Sequence, residues 1–155
     1  MKKELLVRRA EPTDLQSLVE FNQAIALETE DKHLEDSILR EGVRAVLEDD
    51  SLGLYIVAVD GDRVAGCLMV TREWSDWRNG VFWWIQSVYV HADFRRQGVY
   101  RKLYEHVQSL AAGQNVCGFR LYVEKDNTVA QKTYESMGMT ETVYRMYEQP
   151  NDRDR

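Results

Sequence analysis

Two stretches of this sequence set residue types that do chemistry at fixed spacing. The first is Arg95-Arg96-Gln97-Gly98-Val99-Tyr100-Arg101-Lys102, which holds four cations and no acid in a chain of net charge −6. It follows an apolar, β-branched run from Trp84 to Val90 and precedes a helical stripe of Val99, Leu103, Val107, Leu110 and Ala111. A strand that feeds a glycine-containing loop at a helix N-terminus leaves backbone N–H groups without partners and adds the positive end of the helix dipole, so a pyrophosphate or similar anion suits it. Gly98 lets the backbone approach such a guest closely. Taken alone, the hexapeptide from Arg95 to Tyr100 reads more readily as a solvated basic first turn.

The second stretch is Asn127-x-x-Ala130-x-x-x-Tyr134-x-x-x-Gly138. At ~100° per residue, the steps from Asn127 to Tyr134 come to ~700°, nearly two turns, so both side chains share one helix face with Ala130 leaving room between them. A phenol of ordinary pKa about 10 is protonated at neutral pH and can donate to a leaving group. Without further context, a Tyr at helical spacing belongs to a core more often than to a site.

The elements that must position these residues follow from periodicity and punctuation. Leu5-Leu6-Val7 form a short strand, and Thr13-x-x-Gln16 has the form of a capping box with Pro12 just outside it. The spacing of Leu15, Leu18, Val19, Asn22, Ile25 and Ala26 predicts a helix over about residues 13–27. An acid-rich passage at 28–36 leads to a second helix through Ile38, Leu39, Val43, Val46 and Leu47, which Asp49-Asp50-Ser51 breaks. From Leu54 to about Trp74 the period becomes that of strands, with a hairpin turn at Asp60-Gly61. Trp77-Arg78-Asn79-Gly80 supplies the next turn, and the strand from Val81 to His91 is apolar on both faces, which places it in the middle of a sheet covered on both sides. Gly113 ends the helix that follows the basic loop, Phe119–Val123 is a fifth strand, Asn127 caps a helix over 127–137, and 139–148 is a last strand.

The predicted order is thus β-α-α-β-β-β-α-β-α-β. It describes an α/β chain (α+β with a mixed sheet) with helices on both faces, in a single domain over 1–148 with a frayed tail at 149–155.

Strand, R-x-x-G-x-(small) loop, helix, further strand and then N-x-x-A-x-x-x-Y-x-x-x-G resembles the GCN5-related N-acetyltransferase (GNAT) superfamily, over about residues 5–148. One position departs from the pattern: Tyr100 stands where the family has a small residue, and the loop keeps its shape if that side chain turns outward. The resemblance implies acetyl-CoA as donor, used as a co-substrate without a metal, and an amine as acceptor. It further implies that Arg95 and the backbone N–H groups of Arg96, Gln97, Gly98, Val99, Tyr100 and Arg101 lie at the pyrophosphate. Val88, Tyr89 and Val90 would run beside the pantetheine and offer an N–H to the thioester oxygen, where an oxyanion develops. Asn127 and Ala130 would meet the pantetheine, and Tyr134 would be the general acid to the CoA thiolate. Many members carry a Glu on the central strand near the position of Gln86, and Gln cannot accept a proton. Glu28 is the carboxylate named as an alternative base, out of a set with Glu30, Asp31, Glu35, Glu73, Asp76 and Glu124. A GNAT-fold module that binds acyl-CoA without catalysis is the competing expectation.

The acceptor is expected between the first two helices and the strands, where acids and the run Glu73-Trp74-Ser75-Asp76-Trp77 suit a cationic amine. That run reads alternatively as cross-strand Trp packing or a homodimer contact. Acidic residues outnumber basic ones 26 to 20, which excludes wholesale nucleic-acid binding. Cys67 and Cys117 lie in apolar runs and read as buried reduced thiols, which points to the cytoplasm. His33, His91 and His106 fit no metal spacing. MKKELLVRRAEP has no signal-peptide core, and no run approaches membrane-spanning length, so neither export nor a membrane is expected.

Overall fold

The computed structural model describes residues 4–154. Met1–Lys3 and Arg155, which the expected domain and tail include, lie outside the described residues. The chain divides into two compact units, Met1–Tyr122 and Val123–Arg155.

In the first unit, β1 (Leu6–Arg9), β2 (Leu54–Asp60), β3 (Arg63–Ser75), β4 (Gly80–Val90) and β5 (Val116–Arg120) form one sheet in that spatial order. The first four are antiparallel neighbours, and β5 lies parallel to β4 after the crossover through helix α3 (Val99–Ala111). Helices α1 (Leu15–Glu30) and α2 (Asp36–Glu48) separate β1 from β2. Alternation sorts the sheet's side chains between its two faces. Leu18, Val19 and Phe21 of α1 and Val43 of α2 pack with Tyr55, Val57 and Val59 of β2 and Cys67 of β3. The intervening Ile56, Ala58, Leu68 and Val70 are buried on the other face, as are Val99, Leu103 and Val107 of α3. Each fully buried Leu or Val contributes on the order of 2 kcal/mol.

Local chemistry moved several boundaries from those the pattern predicts. The chain enters α1 through a 3-10 turn, Pro12–Asp14, whose cap is the Asp14 carboxylate accepting from Glu11 N–H at 2.7 Å. The expected capping box at Thr13 and Gln16 is therefore absent, and Gln16 instead donates to Glu20 and accepts from Arg40. Asp14 is buried, and its charge is met by a two-pronged bond from Arg8 at 2.7 and 3.2 Å. The β2–β3 hairpin closes one residue later than expected: Asp60 pairs with Arg63, and Gly61, at φ 60°, is in the turn. β5 begins three residues before its predicted start, because the parallel ladder to β4 is set at Asn115, whose carbonyl accepts from Val81 N–H at 3.1 Å. On that edge strand Cys117 is exposed, contrary to the burial expected of it, whereas Cys67 is fully buried.

The second unit holds helix α4 (Thr128–Ser136). Its N-cap is Asn127, whose side-chain oxygen accepts from Ala130 N–H at 3.2 Å, and Gly138 follows its end at φ 96°. The strand expected at 139–148 is not formed: those residues have no ladder partner among the described residues, and Val143 and Tyr147 are each more than 90% exposed. β-Branched and aromatic composition proposes a strand, but only a buried face fixes its register. A 3-10 turn, Asp152–Asp154, ends the described chain.

Candidate active site

The centre of β4 is irregular. Met69 of β3 pairs with Gln86 and Cys67 with Tyr89, so Leu68 alone faces Ser87 and Val88: β4 carries one extra residue. Ser87 takes it up at φ 50°, a left-handed conformation uncommon outside glycine. A bulge of this kind bends its strand and raises its twist. The consequence appears on the opposite edge, where β4 pairs with β5 from Val81↔Val116 only as far as Trp84↔Arg120. From Ile85 to Val90 that edge of β4 has no strand partner among the described residues. An extended ligand can pair with such an edge as a strand would.

The open edge runs into the basic loop. Phe94 closes a short 3-10 turn and is buried; Arg96 at φ 65° and Gly98 at φ 74° then swing the chain into α3. The first intrahelical bond of α3 runs from Lys102 N–H to Gly98 O at 3.1 Å, and the N–H groups ahead of it point off the helix end. Arg96, Gln97, Gly98, Arg101 and Lys102 are exposed there. Tyr100 does not turn outward: it is buried, stacked on Tyr104 with ring centroids 6.1 Å apart, and Tyr104 meets Phe119 edge-on at 5.7 Å. The bulky residue is thereby removed from the loop's mouth by the opposite route to the one expected.

Arg95 serves a different partner. Its Nε donates to Val90 O at 3.0 Å and its Nη2 to Glu28 Oε1 at 3.0 Å, while Tyr89 Oη donates to Glu28 Oε2 at 2.7 Å. Tyr89 also packs on Phe21 of α1, ring centroids 5.1 Å apart. The bond from Tyr89 holds Glu28 below its ordinary carboxylate value, with Arg95 adding to the effect against partial desolvation. Burial, reinforced by donation to Glu28, raises the Tyr89 phenol. Arg95, Glu28 and Tyr89 thus fasten the end of α1 to the end of β4.

On the α1 face of β4 a second cluster surrounds the point where β4 and β5 part. Glu73 Oε1 accepts from Trp84 Nε1 and from Arg120 Nη1, both at 3.1 Å, and Tyr122 lies beside Trp84 at 6.3 Å. Gln86 donates its amide to Thr71 Oγ1. Of the acceptor residues expected from sequence, Glu73 belongs to this cluster. Trp74, near the end of β3, and Trp77, in the β3–β4 turn, are instead exposed, Trp77 to 88%. Arg120 and Tyr122 carried no sequence signal, since strand periodicity does not say which edge residues converge. Among the described residues no group of His, Cys, Asp and Glu is arranged to hold a metal ion.

In the second unit, burial pushes the Tyr134 phenol above its ordinary value, so it keeps its proton at neutral pH. Its carbonyl accepts from both Met137 and Met139 N–H at 3.1 Å, which closes the end of α4. Asn127 spends its side-chain oxygen on the helix cap, which leaves its amide N–H groups out of that bond.

The mixed sheet, whose central strand opens beside a basic loop at a helix N-terminus, is the arrangement of an acetyltransferase fold. A sequence profile described as Acetyltransferase (GNAT) family matches residues 15–139, and the chain belongs to that family. Among solved structures it is similar to "a possible acetyltransferase from Clostridium difficile 630", with 44% identity, TM-score 0.88, and 95% of this chain and 97% of that one covered. It is also similar in fold to a probable acetyltransferase (23% identity, TM-score 0.83, covering 95% of this chain and 98% of that one). A third similar fold is AAC(6')-Iy, solved in complex with a bisubstrate analog, CoA-S-monomethyl-acetylneamine (16% identity, TM-score 0.77, covering 96% and 99%). Comparison with curated proteins gives no match. The chain is a GNAT-type acyl-CoA N-acyltransferase. No helix among its described residues is long and apolar enough to cross a membrane.

Proposed function

We propose that this enzyme moves an acetyl group from acetyl-CoA directly to a primary amine of a small molecule or peptide, working in the cytoplasm as one domain over 1–148 with a tail at 149–155. The observation that carries the proposal is the unpaired edge of β4 from Ile85 to Val90 leading straight into the exposed loop of Arg96–Lys102. The edge receives the pantetheine and offers an N–H of Val88 or Val90 to the thioester oxygen, and the loop N–H groups with Arg96, Arg101 and Lys102 hold the phosphates. Asn127 and Ala130 complete the pantetheine contacts, and Tyr134 gives its proton to the CoA thiolate as the thioester breaks.

The acceptor enters on the α1 face, beside Trp84, Tyr122 and Glu73, a set that suits a cationic amine through ring faces and charge. Glu28 supplies negative charge on the same face. Its bonds to Tyr89 and Arg95 weaken it as a proton acceptor, so the reactive species is the free-amine fraction or an amine that loses its proton to Glu28 through water. A non-catalytic acyl-CoA sensor is the second reading, and one observation favours it: Gln86, bound to Thr71, puts an amide where a carboxylate base would act.

Thiol release from acetyl-CoA, measured over a panel of polyamines, aminoglycosides, amino acids and peptides, tests the proposal together with Tyr134→Phe. Catalysis predicts release with at least one amine and a fall in turnover of about 10²-fold or more in the variant, with acetyl-CoA affinity retained. Tight acetyl-CoA binding with no release from any amine would establish the sensor instead.

A further inference from the structure

Beneath the β4 bulge lies a group of polar side chains that the transfer reaction does not itself use. Tyr55, on β2 and 4% exposed, accepts at its hydroxyl from Asn22 Nδ2 of α1 at 3.2 Å, and the Ser87 side chain lies near enough to that hydroxyl to offset part of the upward push of burial on the phenol. Asn22 Nδ2 also donates to Leu18 O at 2.9 Å, which anchors it to its own helix. From β3, the fully buried Cys67 thiol donates to Ser87 O at 3.4 Å. The thiol is pushed up to about 12 by burial, so it stays a protonated donor and has no part as a nucleophile. Three elements, α1, β2 and β3, thus bring one polar group each to the surroundings of a single residue.

That residue is Ser87, which adopts the left-handed conformation from which the bulge is made. Such a conformation persists in a non-glycine residue only when its surroundings hold it there. Here the Cys67 thiol sets the direction of the carbonyl, and the Tyr55 hydroxyl lies near the side chain. A core that needed only volume would place Phe at 55 and Ala or Val at 67, with no hydroxyl or thiol to satisfy. The two polar atoms earn their burial by meeting the irregular backbone.

We propose that Tyr55, oriented by Asn22, and Cys67 are positioning residues that lock the Ser87 bulge and thereby aim the open edge of β4 at the acyl thioester. This rests on the acetyl-transfer reading for its consequence in turnover, though not for the lock itself. Neither residue touches the substrate; each acts through Ser87.

The test uses the full chain with Tyr55→Phe, Cys67→Ala, and each of these combined with Ser87→Gly. Tyr55→Phe is mild structurally, because Asn22 keeps its bond to Leu18 O and is itself partly exposed. With acetyl-CoA and the best amine of the panel, Tyr55→Phe is expected to lower kcat about tenfold while the KM for acetyl-CoA changes less than about twofold. Amide hydrogen exchange over Ser87–Val90 in the ligand-free protein should accelerate in Tyr55→Phe and in Cys67→Ala. Adding Ser87→Gly should recover most of the lost kcat, since glycine adopts the left-handed conformation unaided. A purely structural role would not give that rescue. Wild-type exchange in both single variants, or a kcat loss that tracks thermal stability and is not recovered by Ser87→Gly, would overturn the proposal. If the wild-type protein releases no thiol with any amine, the acetyl-transfer reading fails, and the exchange comparison alone decides the lock.

Discussion

Gly66 is the joint at which the sheet, the end of β4 and the start of α3 meet, and Gly66→Ala tests whether the candidate site depends on that closeness. Gly66 pairs with Val90, and a methyl group added there would lie 2.8 Å from Tyr89 O, 3.0 Å from Val99 Cγ1 and 3.5 Å from Val90 Cα. Carbon atoms in contact sit at about 3.5–4.0 Å, so backbone at 89–90 and the first residue of α3 must move by roughly 0.5–1 Å. The tightest of these contacts, Tyr89 O, is a backbone atom of a paired strand, which cannot step aside as a side-chain tip can. Overpacking of this kind costs about 1–3 kcal/mol, which for a chain of this size lowers Tm by roughly 3–10 °C. The displaced atoms belong to Tyr89, Val90 and Val99, the residues that join the open edge to the anion loop, so acetyl-CoA affinity should fall roughly 5- to 10-fold. Differential scanning fluorimetry and calorimetric titration with acetyl-CoA measure the two effects separately. A Gly66→Ala protein with wild-type Tm and wild-type affinity would refute both the packing at this joint and its link to the donor site.

Gly42 provides the opposite case: it lies within α2 with nothing within 4 Å of an added Cβ, so Gly42→Ala should stabilise by about 0.5–1 kcal/mol in chemical denaturation and leave acetyl-CoA binding unchanged. Asp14→Ala removes the partner of Arg8 and the cap of Glu11 N–H together, an expected loss of about 2–3 kcal/mol read in the same denaturation experiment. Burial acts to raise the Asp14 pKa, but the bonds from Arg8 and Glu11 N–H and the charge of Arg8 outweigh it and hold the value below the ordinary one. A depressed folded-state value stabilises above the unfolded pKa of about 3.9 and is lost as pH falls through the folded one, so wild type should lose stability on acidification below about pH 4 more steeply than Asp14→Asn. Replacing Arg96, Arg101 or Lys102 by Gln should raise the KM for acetyl-CoA about threefold each, and the effect should shrink at high ionic strength because these side chains are exposed.

Periodicity and turn chemistry carried the architecture. The two-sided apolar run at 81–90 identified the central strand, and Gly113, Asn127 and Gly138 marked helix ends that the structure keeps within a residue or two. Both failures among the strands concern the region beyond β4. A parallel or edge strand takes its register from its partner, so Val116–Arg120 is set by Asn115 and β4 and not by its own most apolar stretch. Residues 139–148 hold the β-branched and aromatic residues of a strand, but composition carries no information about a partner.

The site was legible to the extent that it uses glycine and charge, and illegible where it uses ordinary residues in unusual conformations. Gly98 advertised the loop, whereas Ser87 gave no sign that a strand with no Gly or Pro from Val81 to Val90 would carry a left-handed residue at its centre. The bulge is legible only in three dimensions, because Cys67, bound to the Ser87 carbonyl, and Tyr55 and Asn22 near it come from three separate elements. Tyr100 makes the same point from the other direction. As a departure from a small-residue position it is expected to turn outward; Tyr104, one helical turn away, and Phe119 on β5 instead provide the aromatic slot that takes its ring inward. Tyr100, Tyr104 and Phe119 therefore act as one packing unit: a small residue at 100 would leave a cavity beside Tyr104, and the contacts proposed for the loop's N–H groups do not depend on the side chain at that position.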